Sequence, residues 1–225
     1  SVPYALDTHA HADHLTGMPF FQAHYGARPV IGRHIARVQE TFRAVYGLGD
    51  EFPCDGSQFD VLLDDGDVLE AGGLRFEALH TPGHTPACTS YRVRDALFVG
   101  DALFMPDYGT ARCDFPGGSA EELYDSIQRL YALPDGLRVH TCHDYRPRGR
   151  ALRFASTIAE ERRDNVQLSA RTSKDEFVAF RKQRDAGLPL PDLMLAAIQV
   201  NLRAGALPEP EPNGIAYLKI PLNRF

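Results

Sequence analysis

Residues 8–14 read Thr8-His9-Ala10-His11-Ala12-Asp13-His14. Three imidazoles and one carboxylate put four metal donors on one short stretch. Extended-chain alternation sets His9, His11 and Asp13 on the same side. Residues 2–6 are mostly apolar, the pattern of a short buried strand that delivers the cluster to a loop at its C-terminal end. Such a cluster holds one metal ion or two. A chance grouping of surface histidines is the plain alternative, and the rest of the chain argues against it. Further donors follow apolar runs at His84, Asp101 and His143, with Gly83 and Gly100 beside two of them, as tight backbone turns next to an ion require.

The 225 residues suffice for one large domain or two small ones with a substantial core. A net charge of −6 without any basic run excludes a nucleic-acid groove, which needs a positive footprint. No apolar run approaches membrane-spanning length. Cys54, Cys88, Cys113 and Cys142 are scattered without a Cys-x-x-Cys pair, so reduced thiols in a cytoplasmic setting are expected rather than a disulfide framework. No secretory leader is visible.

Outward from the cluster the pattern alternates. A helix is expected over 19–25, closed by Gly26, then a strand over 29–32. A helix over 34–46 follows, with Ile35, Val38, Phe42 and Val45 at helical spacing and Gly47 as its stop. The period then shortens. Strands are expected over 59–63, 68–69 and 74–79, with Asp65-Gly66 and Gly72-Gly73 as hairpin turns, and over 88–93 and 96–99 around Arg94-Asp95. Ser119 with Glu122 reads as a capping box opening a helix whose inner face is Leu123, Ile127 and Leu130. A strand over 137–141 follows. The last third reads as helical, over 151–163, 173–186 (boxed by Ser173 and Glu176) and 192–204. An acidic, proline-rich linker at 208–212 leads to a run at 217–220 that returns as a strand or packs extended. This order implies an α/β fold, sheets with helices outside. It is expected as one domain over 1–225, with a metal-binding core at 1–150 and a helical C-terminal extension at 151–225.

The set Thr8-His9-x-His11-x-Asp13-His14, Thr81-Pro82-Gly83-His84-Thr85, Gly100-Asp101 and His143 resembles the metallo-β-lactamase superfamily. The resemblance implies an αββα sandwich with the metal site at one edge of the sheets. Members of that family carry a strand–strand–helix portion ahead of the motif. The fold is therefore expected here without its N-terminal strands, with upstream residues expected in the native protein. Residues 107–118, Asp-Tyr-Gly-Thr-Ala-Arg-Cys-Asp-Phe-Pro-Gly-Gly, narrow the match. With His143-Asp144-Tyr145 and the ending Tyr217-Leu218-Lys219-Ile220-Pro221-Leu222-Asn223, they resemble the persulfide dioxygenases, particularly the bacterial β-lactamase-like branch tied to sulfide oxidation.

That resemblance implies one Fe(II) per chain on His9, His84 and Asp101, a two-histidine, one-carboxylate set that leaves positions for oxygen and substrate. Glutathione persulfide, or a similar small persulfide, and O2 are then the substrates, and sulfite and a thiol the products. His11, Asp13, His14 and His143 line the site and orient ligands. Arg112 is expected on the substrate side, clamping a glutathione carboxylate, against the alternative of a salt bridge to Asp114. Tyr145 offers its hydroxyl to substrate or packs under the loop. Cys113 stands where a threonine is usual in mitochondrial members. It reads as a small buried side chain rather than as a carrier of persulfide.

The same residues serve a second chemistry, that of a glyoxalase-II-like thioesterase with two Zn ions. His9, His11 and His84 hold the first, Asp13, His14 and His143 the second, and Asp101 bridges, so that an acidified water attacks a thioester. A third reading is non-enzymatic, a metal-dependent sensor or a sulfurtransferase partner. The C-terminal helices are a candidate surface for homodimer contacts. His24, His34, His80 and His140 have no motif around them and are expected in packing or at the surface.

Overall fold

The computed structural model describes residues 1–223. In chain order its elements are β1 (Tyr4–Leu6), α1 (Met18–Tyr25), β2 (Arg28–Gly32), α2 (Ile35–Tyr46), β3 (Val61–Leu63), β4 (Val68–Ala71), β5 (Leu74–His80), β6 (Thr89–Val93), β7 (Ala96–Phe98), α3 (Ala120–Tyr131), β8 (Arg138–His140), β9 (Ala155–Thr157), α4 (Ile158–Asp164), α5 (Lys174–Asp185) and α6 (Met194–Asn201). They group into two compact units. One is Ser1–Leu63 with the segment from Pro189 onward, the other Asp64–Leu188.

In the first unit β1, β2 and β3 form a parallel sheet in that order, with Leu6 opposite Val30 and Val30 opposite Val61. Parallel neighbours need crossovers, which α1 and α2 supply. Helix α2 forms because Ile35, Val38, Phe42 and Tyr46 recur at helical spacing and bury one stripe. It stops at Gly47, whose φ of 57° suits a residue without Cβ. Helix α6 is buried nearly throughout, including two amides, Gln199 and Asn201. Buried amides must be hydrogen-bonded, and Gln199 exchanges two bonds with the backbone of Lys219, at 2.8 and 2.9 Å.

In the second unit β4 to β9 form one mixed sheet in sequence order, and only β7 and β8 pair in parallel, joined through α3. Helix α3 lays Leu123, Ile127 and Leu130 on a core with Leu79, Leu97, Val99 and Val139. Each such side chain contributes roughly 2 kcal/mol by leaving water. This burial anchors the helix whose N-terminal half backs the loop carrying His84.

Several expectations change. Asp65-Gly66 is not a hairpin turn, because β3 pairs with β2 whereas β4 pairs with β5. The Gly72-Gly73 hairpin forms, with Ala71 opposite Leu74. The helix expected over 151–163 starts only at Ile158, and Ala155–Thr157 is a strand on β8. Thr157 sets that start. Its hydroxyl accepts from the Glu160 amide, and the Glu160 carboxylate accepts from the Thr157 amide. At α3 only half of the expected box exists. Ser119 accepts from the Glu122 amide, but its hydroxyl donates to Glu121. The helix over 192–204 shortens to Met194–Asn201, and residues 217–220 are exposed and join no strand. Residues 151–188 pack with the second unit and the stretch from Pro189 with the first.

Candidate metal centre

In the first unit β1 ends just before Asp7-Thr8-His9, as the apolar run required. His9 and His11 are buried, whereas Asp13 and His14 are exposed. The rings of His9 and His11 lie 4.3 Å apart between centroids, and those of His11 and His14 likewise 4.3 Å. Thr8 Oγ1 is hydrogen-bonded to His9 Nδ1 at 3.0 Å, and His14 Nδ1 lies 3.1 Å from Asp13 Oδ1. Ligand atoms of His11, Asp13 and His14 all fall within 4.8 Å of one another. Burial lifts the neighbouring Asp7 carboxyl to about 6, against hydrogen bonding from Thr16 and the charge of His14.

The loop's shape comes from α6. The buried Asn201 donates to the carbonyls of His11 and His14 at 2.7 and 2.8 Å and accepts the Thr16 amide at 2.9 Å. One side chain thus satisfies three backbone groups of a loop that has no ladder of its own.

In the second unit His84 follows β5 through Thr81-Pro82-Gly83. Gly83 has φ 134°, and a Cβ there would fall 2.4 Å from the Cα of Leu123. The loop therefore lies directly on α3, tied to it by Ser119 N–H to Gly83 O at 2.8 Å and Ser126 Oγ to Pro82 O at 2.7 Å. His84 Nδ1 is 2.8 Å from the carbonyl oxygen of Arg112. A carbonyl only accepts, so Nδ1 carries a proton, and in the neutral ring Nε2 is then the nitrogen that can meet a metal. That Nε2 lies 3.8 Å from Asp101 Oδ2, while His143 Nε2 lies 3.6 Å from Asp101 Oδ1. Both distances are long for hydrogen bonds but suit donors that share an ion at about 2.1 Å from each. The buried Asp101 carboxylate, delivered by the β7 end and Gly100 at φ 56°, thus faces one imidazole on each oxygen.

The loop at 107–118 borders this cluster. Phe115 sets its ring edge-on to His84 at 5.1 Å. Arg150 bridges Asp107 and Asp144, the residue after His143, and holds the Asp144 carboxyl down to about 2. Tyr145 stacks on Tyr108 at 4.2 Å and lies 5.8 Å from the His143 ring, half exposed. Arg112 makes the salt bridge weighed as its alternative, with Nε and Nη2 each 2.6 Å from the Asp114 carboxylate and its guanidinium over Phe115. Cys113 is buried, and burial pushes its thiol up to about 12, which fits the packing reading. Among the four unassigned histidines, His24 bonds Phe20 O, His80 bonds Pro86 O and His140 stacks on Phe98.

Within the first unit the structure brings His11, Asp13 and His14 together beside His9. Within the second it brings together His84, Asp101, His143 and Tyr145. Asn201 and the Arg112 carbonyl were missed. A lone asparagine in an apolar helix is a signal for the first, since it must find partners, but its target has no local sequence mark. A backbone carbonyl has no signature at all.

Residues 2–143 match the family model of the metallo-beta-lactamase superfamily. A probable metallo-hydrolase of Burkholderia pseudomallei is 54% identical, spanning 99% of this chain and 79% of its own length. Glyoxylase B2 of Dictyostelium discoideum is 50% identical over 98% of this chain and 76% of its own. The mitochondrial persulfide dioxygenase ETHE1 of Bos taurus is 33% identical over 90% of this chain and 69% of its own. Among solved structures, ETHE1 from Myxococcus xanthus matches with a TM-score of 0.73 at 33% identity, covering 92% of this chain and 79% of that one. The chain belongs to the metallo-beta-lactamase superfamily, has its mixed α/β fold, and is a distant homologue of the persulfide dioxygenases.

Proposed function

We propose that this protein is an iron-dependent persulfide dioxygenase of the cytoplasm, with His9, His84 and Asp101 holding one Fe(II). The donor set supports the metal. His84 is oriented by its Nδ1 bond to the Arg112 carbonyl, and its Nε2 faces an Asp101 oxygen, which gives an imidazole and a carboxylate of a two-histidine, one-carboxylate site. When bound, Fe(II) would supply the redox chemistry that joins O2 to the outer sulfur of a persulfide. The reaction balances as one persulfide, one O2 and one water giving one thiol and one sulfite with its protons.

The chain's own residues then bind and orient. His11, Asp13 and His14 lie together beside His9, and His143 faces the second oxygen of Asp101 at 3.6 Å. Tyr145, half exposed beside His143, is a hydrogen-bond donor for a glutathione-sized substrate. Arg112 contributes through its carbonyl on His84, and its guanidinium reaches a substrate carboxylate only by releasing Asp114. The observation that carries this reading is the loop at 107–118. It is the segment that resembles the persulfide dioxygenases, and it is also the segment that fixes His84.

A second reading, a two-zinc thioesterase acting on an acyl-glutathione, draws on the 3.6 Å approach of His143 to Asp101 and on the names of two relatives. Metal content of variants separates the two. With one iron, His9→Ala empties the protein while His143→Ala keeps its iron. A protein that carries two metals and loses one on His143→Ala refutes the single-iron site.

A further inference from the structure

Helix α5 carries a buried ion pair. Arg181 and Asp185, one turn apart, expose only 1% and 4% of their surface. Withdrawing two charges from water costs several kcal/mol per ion, so such a pair is a weak device for stability. Its other bonds converge on one segment. Arg181 Nη1 donates to Thr110 O at 3.2 Å, to Thr110 Oγ1 at 3.3 Å and to Gln167 Oε1 at 2.8 Å. Asp185 Oδ1 accepts from Arg181, and Oδ2 accepts the Cys113 amide at 2.8 Å. Thr110 and Cys113 flank Ala111-Arg112, and the Arg112 carbonyl is the one that accepts from His84 Nδ1–H. Residues 111–114 belong to no strand or helix, so no sheet ladder places that carbonyl.

We propose that the Arg181–Asp185 pair is a positioning device for His84. By clamping the chain on both sides of Arg112, it holds the carbonyl that selects the His84 tautomer and aims Nε2 toward Asp101. Two like-sized apolar residues would fill the same space and spare the desolvation, but they would leave the Thr110 carbonyl and Cys113 amide unheld. The inference rests on His84 being a metal ligand, as proposed above.

The test uses the full-length chain without metal, read by nitrogen NMR of the His84 ring, and the same protein titrated with zinc or Fe(II). In the unaltered protein His84 is a single tautomer protonated on Nδ1. Its ring proton and the Cys113 amide exchange through one shared opening, with protection within about threefold of each other. Asp185→Asn cannot accept from both Arg181 and the Cys113 amide without turning its own NH2 on one of them. The double variant Arg181→Met with Asp185→Leu removes both charges. Both are expected to show mixed His84 tautomers and about tenfold weaker metal binding. In the double variant the spared desolvation of two charges offsets the cost of the two unheld backbone groups, so its Tm is expected to stay close to the parent's. Either variant, folded, with one tautomer and an affinity within about twofold of the parent overturns the proposal. So does a His84 proton that exchanges independently of Cys113 in the unaltered protein, a measurement that needs no variant. The ring readout requires neither iron nor turnover, so a thioesterase activity would refute the dioxygenase reading and leave this result unaffected.

Discussion

His84 Nδ1 and the carbonyl oxygen of Arg112 are 2.8 Å apart, across 28 positions of sequence. This one bond decides which nitrogen of His84 can meet a metal. It depends on the loop bearing His84 lying flat on α3, and Gly83 makes that approach. Gly83→Ala places a Cβ against the backbone of Leu123, which cannot yield as a side-chain tip would, at a φ that L residues rarely adopt. The expected cost is about 3 kcal/mol, seen as a lower Tm, together with lower metal content in whatever protein folds. A variant with parental Tm and metal content would show that the close approach is not needed.

Asn201 holds three backbone groups of the metal-motif loop, His11 O, His14 O and Thr16 N–H. Asn201→Ala leaves all three without this partner and is expected to cost about 2–3 kcal/mol. Asn201→Asp is the sharper variant. It still accepts from Thr16, but it sets a carboxylate against two carbonyls. Metal affinity measured by competition with a chelator should fall at least about tenfold. An affinity equal to the parent's would reduce Asn201 to a packing role.

Glu161 is buried at the start of α4, where it accepts from Ser156 Oγ and Asn165 Nδ2, and burial lifts its carboxyl from 4.5 to about 7. The native state therefore binds this proton more tightly than the unfolded chain. Stability from this group is complete below the unfolded value of 4.5 and is lost as pH rises through about 7. The loss is at most on the order of 3 kcal/mol. Glu161→Gln stays neutral, so its Tm relative to the parent should rise between about pH 4.5 and pH 7. Parallel melting curves across that range would contradict the assignment.

The strands and helices that were legible in the sequence are those governed by local periodicity. The buried stripe of α2, the inner face of α3 and the Gly72-Gly73 hairpin each follow from residues a few positions apart. Asp65-Gly66 misled because a turn signal does not say which strands pair, and β3 had a longer-range partner in β2. The start of α4 was legible after all, since Thr157 and Glu160 form a capping-box pattern inside what reads as a continuous helix. The metal donors were legible because their chemistry is rare and their spacing local. Their supports were not. Asn201 is 187 positions from His14, and Arg181 with Asp185 has the i, i+4 spacing of an ordinary exposed pair. Only packing reveals that the pair is buried and points at Thr110 and Cys113.

Metal removal should be visible in stability. A ligand that binds only the folded chain raises Tm by mass action. Treatment with a chelator is therefore expected to lower the Tm of the parent and to leave that of Asp101→Asn unchanged. Equal drops in both proteins would mean that Asp101 does not hold the ion.

The decisive measurement is an oxygen-electrode trace on anaerobically purified protein of known metal content, supplied with glutathione persulfide, with sulfite measured at the end. A persulfide dioxygenase consumes one O2 for each sulfite released, in proportion to bound iron and not to zinc. Iron-loaded protein that consumes no oxygen, or zinc-loaded protein that cleaves an acyl-glutathione instead, would contradict it.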